Sequence, residues 1–227
     1  MPFGAGNGAG TAVSVLAAPK ILDLDKVAVS NVNFSRKTGK VQLQLQAEQP
    51  ITLSSDDDDV DVRRVMTFVV TNSDRFDAGI RIDCVEALRS AANSDEPTRI
   101  ALLAAARKDQ NPAVRLKALD ALRDVVGIPS VRDVLLDVLK DDPNPGVRVE
   151  AVNLLVRALE SVNDTPEANE PNLPEVDAGP LALPATGRDA EQRILRALDE
   201  LRQHDSNRYV RLRSAAALRQ IAQQDLQ

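Results

Sequence analysis

Aromatic side chains make up only 2% of this 227-residue chain, with no Trp, one Tyr and four Phe. A core built on large rings is excluded. Leu, Val, Ile and Ala must supply it, which suits close-packed helices better than a β-sandwich. The single cysteine, Cys84, rules out an intramolecular disulfide and a thiolate metal cluster. The single histidine, His204, has no second His or Cys to complete a metal site. It falls beside Asp205 in a turn, and acid–base catalysis would need a positioned partner and a pocket. No Gly-x-Ser-x-Gly elbow occurs for a hydrolase. Basic residues are outnumbered, 28 to 34, leaving a net charge of −6. Nucleic acid and anionic membrane surfaces are therefore poor partners. No apolar run approaches the 18 or so residues that a membrane helix needs. The run over residues 11–18 is too short and lacks a preceding basic region, so no signal peptide is expected. The chain reads as soluble and cytoplasmic, with no cofactor.

Along the chain, residues 1–25 open with MPFGAGNGAG and read as a flexible Gly-rich leader. A phosphate-binding loop fails there, because no strand precedes it, no GK[ST] follows, and the spacing is not GxGxxG. Residues 26–55 differ. Val41, Leu43 and Leu45 alternate with Gln42, Gln44 and Gln46, the period of a half-buried strand. Val27, Val29, Val32 and Phe34 form a second strand candidate, with Gly39 suited to the turn between them. Residues 50–53 offer a short third. SSDDDDVDV then reads as a helix start, with a capping Ser or Asp and acidic residues facing the positive end of the dipole. A calcium loop would need ligands spread around a glycine turn instead.

Self-similarity at a fixed period is the strongest signal. FDAGIRIDCVEAL (76–88), NPAVRLKALDAL (111–122), NPGVRVEAVNLL (144–155) and NRYVRLRSAAAL (207–218) align on Arg81, Arg115, Arg148 and Arg211. The spacings are 34, 33 and 63 residues, the last being one unit plus an insertion of about 30. Each unit has a first helix with an apolar face, over residues 60–70, 99–107, 131–140 and 191–202. A turn rich in Asp, Asn, Pro and Gly follows, and then a second helix. Asn111 and Asn144 suit the N-cap. Pro112 and Pro145 suit the first turn, where no N–H is needed. Within the second helices Val114, Leu116, Leu119 and Leu122 match Val147, Val149, Val152 and Leu155. One position is always small: Cys84, Ala118, Ala151 and Ser214. Cys84 is thereby a packing residue where helices approach closely, not a nucleophile.

The pattern D-x-N-P-x-V-R-φ-x-A resembles the HEAT family and its HEAT-like variants over about residues 56–227, less the insertion. The resemblance implies a mainly α fold. It would be an α-solenoid of about four HEAT-like helical hairpins with a small N-terminal β-hairpin or sheet cap. It also implies an inter-repeat ladder of turn aspartates and second-helix arginines, here Asp109 with Arg115, Asp142 with Arg148, and Asp205 with Arg211. The first repeat departs, since position 75 is arginine; Asp74 or Asp77 would have to serve Arg81. The hairpin ending in tG-V-x-L-x-L, the Asp-rich helix start and the NPGVR repeats together look like the C-terminal region of bacterial anti-sigma-factor-type membrane proteins. This sequence has neither their zinc motif nor their membrane span. Only a sensory or protein-binding role is implied, extracytoplasmic if the chain is a piece of a membrane-anchored regulator.

The expected domains are the leader, the sheet at 26–55 and a repeat domain at 56–227. Residues 162–188 interrupt the repeats with five prolines and two glycines. They read as an extended loop. The expected function is a non-catalytic scaffold binding another protein through its second-helix face. The candidate contact residues are Asp83, Glu86, Lys117, Asp120, Glu150, Asn153 and Arg213. The alternative is a HEAT-like enzyme of the phycobilin lyase type, disfavoured by the scarcity of aromatics. A HEAT-like DNA glycosylase is disfavoured by the acidic charge.

Overall fold

The computed structural model describes residues 28–46, 51–56, 59–163 and 187–224. The leader and most of the insertion lie outside the described residues. The chain divides into two compact units, Met1–Ala91 and Ala92–Gln227. The first helical hairpin thus falls in the same unit as the sheet.

In the first unit, strands β1 (Ala28–Ser35), β2 (Lys40–Gln46) and β3 (Ile51–Asp56) form an antiparallel sheet with β2 in the middle. Gly39, at φ 65°, closes the β1–β2 turn, a conformation that glycine adopts without a Cβ penalty. Val41, Leu43 and Leu45 are buried while Gln42 and Gln44 face solvent, as period two requires. Val29 and Val32 have opposite parity, yet both are buried. A register shift between Val29 and Asn31 makes this possible by absorbing one residue.

Helices α1 (Val60–Thr71) and α2 (Ala78–Leu88) complete this unit, and β1 packs on α2. The Asp59 carboxylate accepts from the Asp61 and Val62 amides, so the end of the aspartate run caps a helix. In the α1–α2 turn, the Arg75 guanidinium lies 5.4 Å from the Phe68 ring and 5.9 Å from Phe76. The two rings meet edge to face at 5.9 Å. The arginine that breaks the sequence pattern is thus held by two of the chain's few aromatics.

The second unit is a two-layer stack of three hairpins. Its first helices are α3 (Glu96–Lys108), α5 (Pro129–Asp141) and α7 (Gly187–His204). Its second helices are α4 (Pro112–Ala121), α6 (Pro145–Asn163) and α8 (Arg208–Gln224). First helices pack on first helices and second on second, so each hairpin covers the next. With α1–α2, the described residues form four HEAT-like hairpins, mainly α, preceded in sequence by the small sheet. The four second helices start alike. Asp77, Asn111, Asn144 and Asn207 each accept from the amide two residues on, at 2.7–2.8 Å. The small position is fully buried in all four: Cys84, Ala118, Ala151 and Ser214.

In the third hairpin of this unit, charged residues replace apolar ones of the second. Leu136 and Leu139 of α5 are buried, and 63 positions later α7 carries Asp199 and Arg202, paired at 2.6 Å. Buried Val156 of α6 corresponds to exposed Arg219 of α8. A face that no further described hairpin covers is thereby kept wet. Among the described residues, no helix is long and apolar enough to cross a membrane.

Candidate interaction surfaces

Three rows of polar contacts link the hairpins of the second unit. The innermost runs along the turns. Arg115 donates Nε and Nη2 to the two carboxylate oxygens of Asp142, at 2.7 and 2.9 Å, and Nη1 to the Asp109 carbonyl at 2.7 Å. Arg148 repeats this one hairpin on. Nε and Nη2 reach Asp205 at 2.9 and 2.8 Å, and Nη1 reaches the Asp142 carbonyl at 2.7 Å. The planar guanidinium fork matches a carboxylate edge, which lysine could not do. Each aspartate also accepts from the amide of the following asparagine, Asn111, Asn144 or Asn207, at 2.7–2.8 Å.

The resemblance had implied pairs six residues apart. The structure offsets them by one repeat. Each arginine meets its own repeat's aspartate through the backbone carbonyl and the next repeat's aspartate through the carboxylate. The reason is directional. The side chain leaves the first turn of the second helix beside its own turn, and its fork points past that turn toward the neighbouring one. Arg211 keeps only the first half, donating Nη1 to the Asp205 carbonyl at 2.7 Å and the Ser206 carbonyl at 3.2 Å. In the first unit, Arg81 donates to the carbonyls of Ser73, at 3.1 Å, and Phe76. Asp77 is occupied as the α2 cap.

A second row crosses the second helices. Asp120 and Glu150 flank Arg123, at 2.7 and 3.5 Å. Glu150 accepts from Asn153 at 3.0 Å, and Asn153 accepts from Arg213 at 2.6 Å. Asp120, Glu150, Asn153 and Arg213, nominated separately from sequence, therefore join into one chain of contacts over α4, α6 and α8. Lys117 is half-buried on the same helix as Asp120. Arg157–Asp124, at 3.3 Å, and Gln220–Glu160, at 2.8 Å, continue the row nearer solvent. Asp83 and Glu86 lie in the first unit. Asp83 is exposed, and Glu86 pairs with Arg36 of the β1–β2 turn. Sequence reasoning missed Arg123, although its i, i+3 spacing from Asp120 was available as a signal.

The third row lies on the first helices. Arg107 of α3 pairs with Asp137, and Arg193 of α7 with Asp133 at 3.0 Å, so α5 offers one carboxylate to each neighbour. The sequence reading did not nominate these four residues. Charged side chains on a solvated helix face carry no sign of their partner until the stack is known.

Cys84 is fully buried, and burial pushes its thiol well above the ordinary range, with the Asp83 charge adding to the shift. A thiol held protonated in this way packs rather than reacts. His204 is exposed and lines an open groove of about 690 Å³ between α7 and α8, with Asp199, Glu200, Leu218 and Ile221. Among the described residues, no group of three His, Cys, Asp or Glu side chains could hold a metal ion.

Residues 100–168 match the family model for HEAT repeats. The match covers α3 to α6, the two hairpins in which both halves of the turn ladder are complete. Comparison with curated proteins and with solved structures finds no match. HEAT repeats are generally protein-interaction scaffolds. The likeness to anti-sigma-factor-type proteins has no counterpart among the matches.

Proposed function

We propose that the chain is a non-catalytic scaffold that binds another protein across the second-helix face of α4, α6 and α8. The observation that carries this reading is the chain of contacts Asp120–Arg123–Glu150–Asn153–Arg213. It spans three helices and alternates donors with acceptors. These groups are half-buried and already held by one another. A partner docking there orders few additional side chains, which lowers the entropic cost of binding. Mixed charge favours a polar, specific interface over bulk hydrophobic adhesion. Lys117 and the outer Arg157–Asp124 pair extend the face. Asp83 and Glu86 are proposed as a second contact region on α2. A sensory role within a signalling protein, as the likeness of the sheet and Asp-rich helix start implies, is a special case of the same mechanism.

A photo-crosslinking amino acid at Asp124 or Arg157 probes this face, and one at Asp133 probes the first-helix face. In cells of the source organism, the first two positions should give the same discrete protein adduct and the third should not. Adducts confined to Asp133, or adducts to nucleic acid only, would overturn the reading.

A further inference from the structure

We infer that the N-terminal part of α8, centred on Arg211, is a docking site for an acidic protein segment. It is a site separate from the second-helix face proposed above. In both earlier hairpins of the stack the matching arginine is oriented by Nη1 to its own turn carbonyl, at 2.7 Å. It then takes a carboxylate with Nε and Nη2. Arg211 shows the same 2.7 Å contact to the Asp205 carbonyl, so its fork is set in the same way. No carboxylate meets it among the described residues. The half-site is built and its anion is still to be supplied.

The rest of α8 agrees. Its sequence, RYVRLRSAAALRQIAQQ, carries Arg208, Arg211, Arg213 and Arg219 and no acidic residue, within a chain of net charge −6. No ion pair involves any of the four among the described residues. Arg213 donates Nε to the Asn153 amide oxygen and Arg219 donates Nε to the Ala215 carbonyl. Beside Arg211 stand the chain's only tyrosine, Tyr209, and Leu212, 66% and 54% exposed. The positions matching Tyr209 in the two earlier repeats are Ala113 and Gly146. A large amphipathic ring therefore appears at this place only where no further described hairpin covers the helix. Buried aromatic and arginine anchors carry most of the energy of protein interfaces.

The occupant is a polypeptide turn presenting an aspartate next to an apolar side chain, the arrangement that Arg115 and Arg148 already grip. A second copy of this chain stacking head to tail is disfavoured. The first repeat has Arg75 where the ladder aspartate would stand, and guanidinium would face guanidinium. A nucleic-acid phosphate could also sit on the fork, but the net charge of the chain opposes a polyanion.

The test uses the full chain and a fluorescein-labelled peptide copying residues 138–146, with its lysine replaced by glutamate, read by anisotropy. The peptide should bind, and Arg211→Gln should weaken it about ten-fold or more, in keeping with loss of a charge-assisted bidentate contact. Arg211→Lys should recover only part of the loss. Changing the peptide's second aspartate to asparagine should cost wild type the same factor and cost Arg211→Gln nothing further. Tyr209→Ala should also weaken binding, whereas Arg219→Gln should change it less than two-fold. Arg157→Glu, on the second-helix face, should leave it unchanged. Four outcomes would overturn the inference. They are no binding at 1 mM peptide, equal binding by Arg211→Gln, loss on Arg157→Glu, and tighter binding of an oligonucleotide of equal charge. Failure here leaves the crosslinking result at Asp124 and Arg157 untouched, so the two sites stand or fall separately.

Discussion

Asp142→Ala is the most informative single substitution in the second unit. The Asp142 and Arg115 side chains are 2% and 7% exposed. Removing the carboxylate deletes both arms of the bidentate contact and strands a guanidinium away from water, a loss of about 3–5 kcal/mol. It also removes the acceptor for the Asn144 amide, which adds about 1 kcal/mol. Equilibrium urea unfolding, followed by far-ultraviolet circular dichroism, measures the sum. With a slope of about 2 kcal/mol/M, the midpoint should fall by about 2–3 M. Asp133→Ala is the control. Its partner Arg193 sits at 3.0 Å, but both side chains are more than half exposed, so the cost should be about 0–1 kcal/mol. The double variant Arg115→Met/Asp142→Leu separates the ion pair from its burial. Apolar replacement of a buried pair is itself near neutral. The orphaned Asp109 carbonyl and Asn144 amide would then set a loss of about 1–3 kcal/mol, smaller than that of Asp142→Ala. The reasoning is refuted if Asp142→Ala costs no more than Asp133→Ala, or if the double variant costs as much as the single.

Other consequences can be checked in the same assay. Thr98 Oγ1 and Ser214 Oγ are buried without a hydrogen-bond partner, and the matching positions hold Val131, and Ala118 with Ala151. Thr98→Val and Ser214→Ala should each raise stability, by about 1 kcal/mol. Asn144→Ala removes the acceptor for the Gly146 and Val147 amides and should cost about 1 kcal/mol. The Cys84 thiol is raised by burial, so the fold favours the protonated form, and its contribution is complete below the unfolded-state value. Stability should fall as pH rises above about 8.5, by about 1.4 kcal/mol per unit, and Cys84→Ala should remove that part of the slope. A thiol reagent should label Cys84 only as the protein unfolds.

Sequence made the repeats legible because their punctuation is local. An asparagine followed by a first-turn proline announces two of the second helices whatever surrounds them, Asn111–Pro112 opening α4 and Asn144–Pro145 opening α6. The buried small position was readable from alignment of the four units alone. Pairing across repeats was not. Arg115 stands six residues from Asp109 and 27 from Asp142. Only the stacked geometry decides that the near aspartate offers its carbonyl and the far one its carboxylate. The candidate face was half legible. Glu150, Asn153 and Arg213 could be named as projecting residues, but their mutual contacts depend on the packing of α6 against α8. In the sequence, Arg75 stands where the ladder aspartate of the other repeats would be. Its place between Phe68 and Phe76 comes from the turn's three-dimensional closure, which no spacing rule encodes.

Whether the second helices carry the partner can be read by hydrogen–deuterium exchange of the chain alone and with the partner captured by the crosslinkers at Asp124 and Arg157. Protection should rise in α4, in α6 and along α8 beyond Arg211, with α3, α5 and α7 unchanged. Protection confined to the first helices would contradict the proposal.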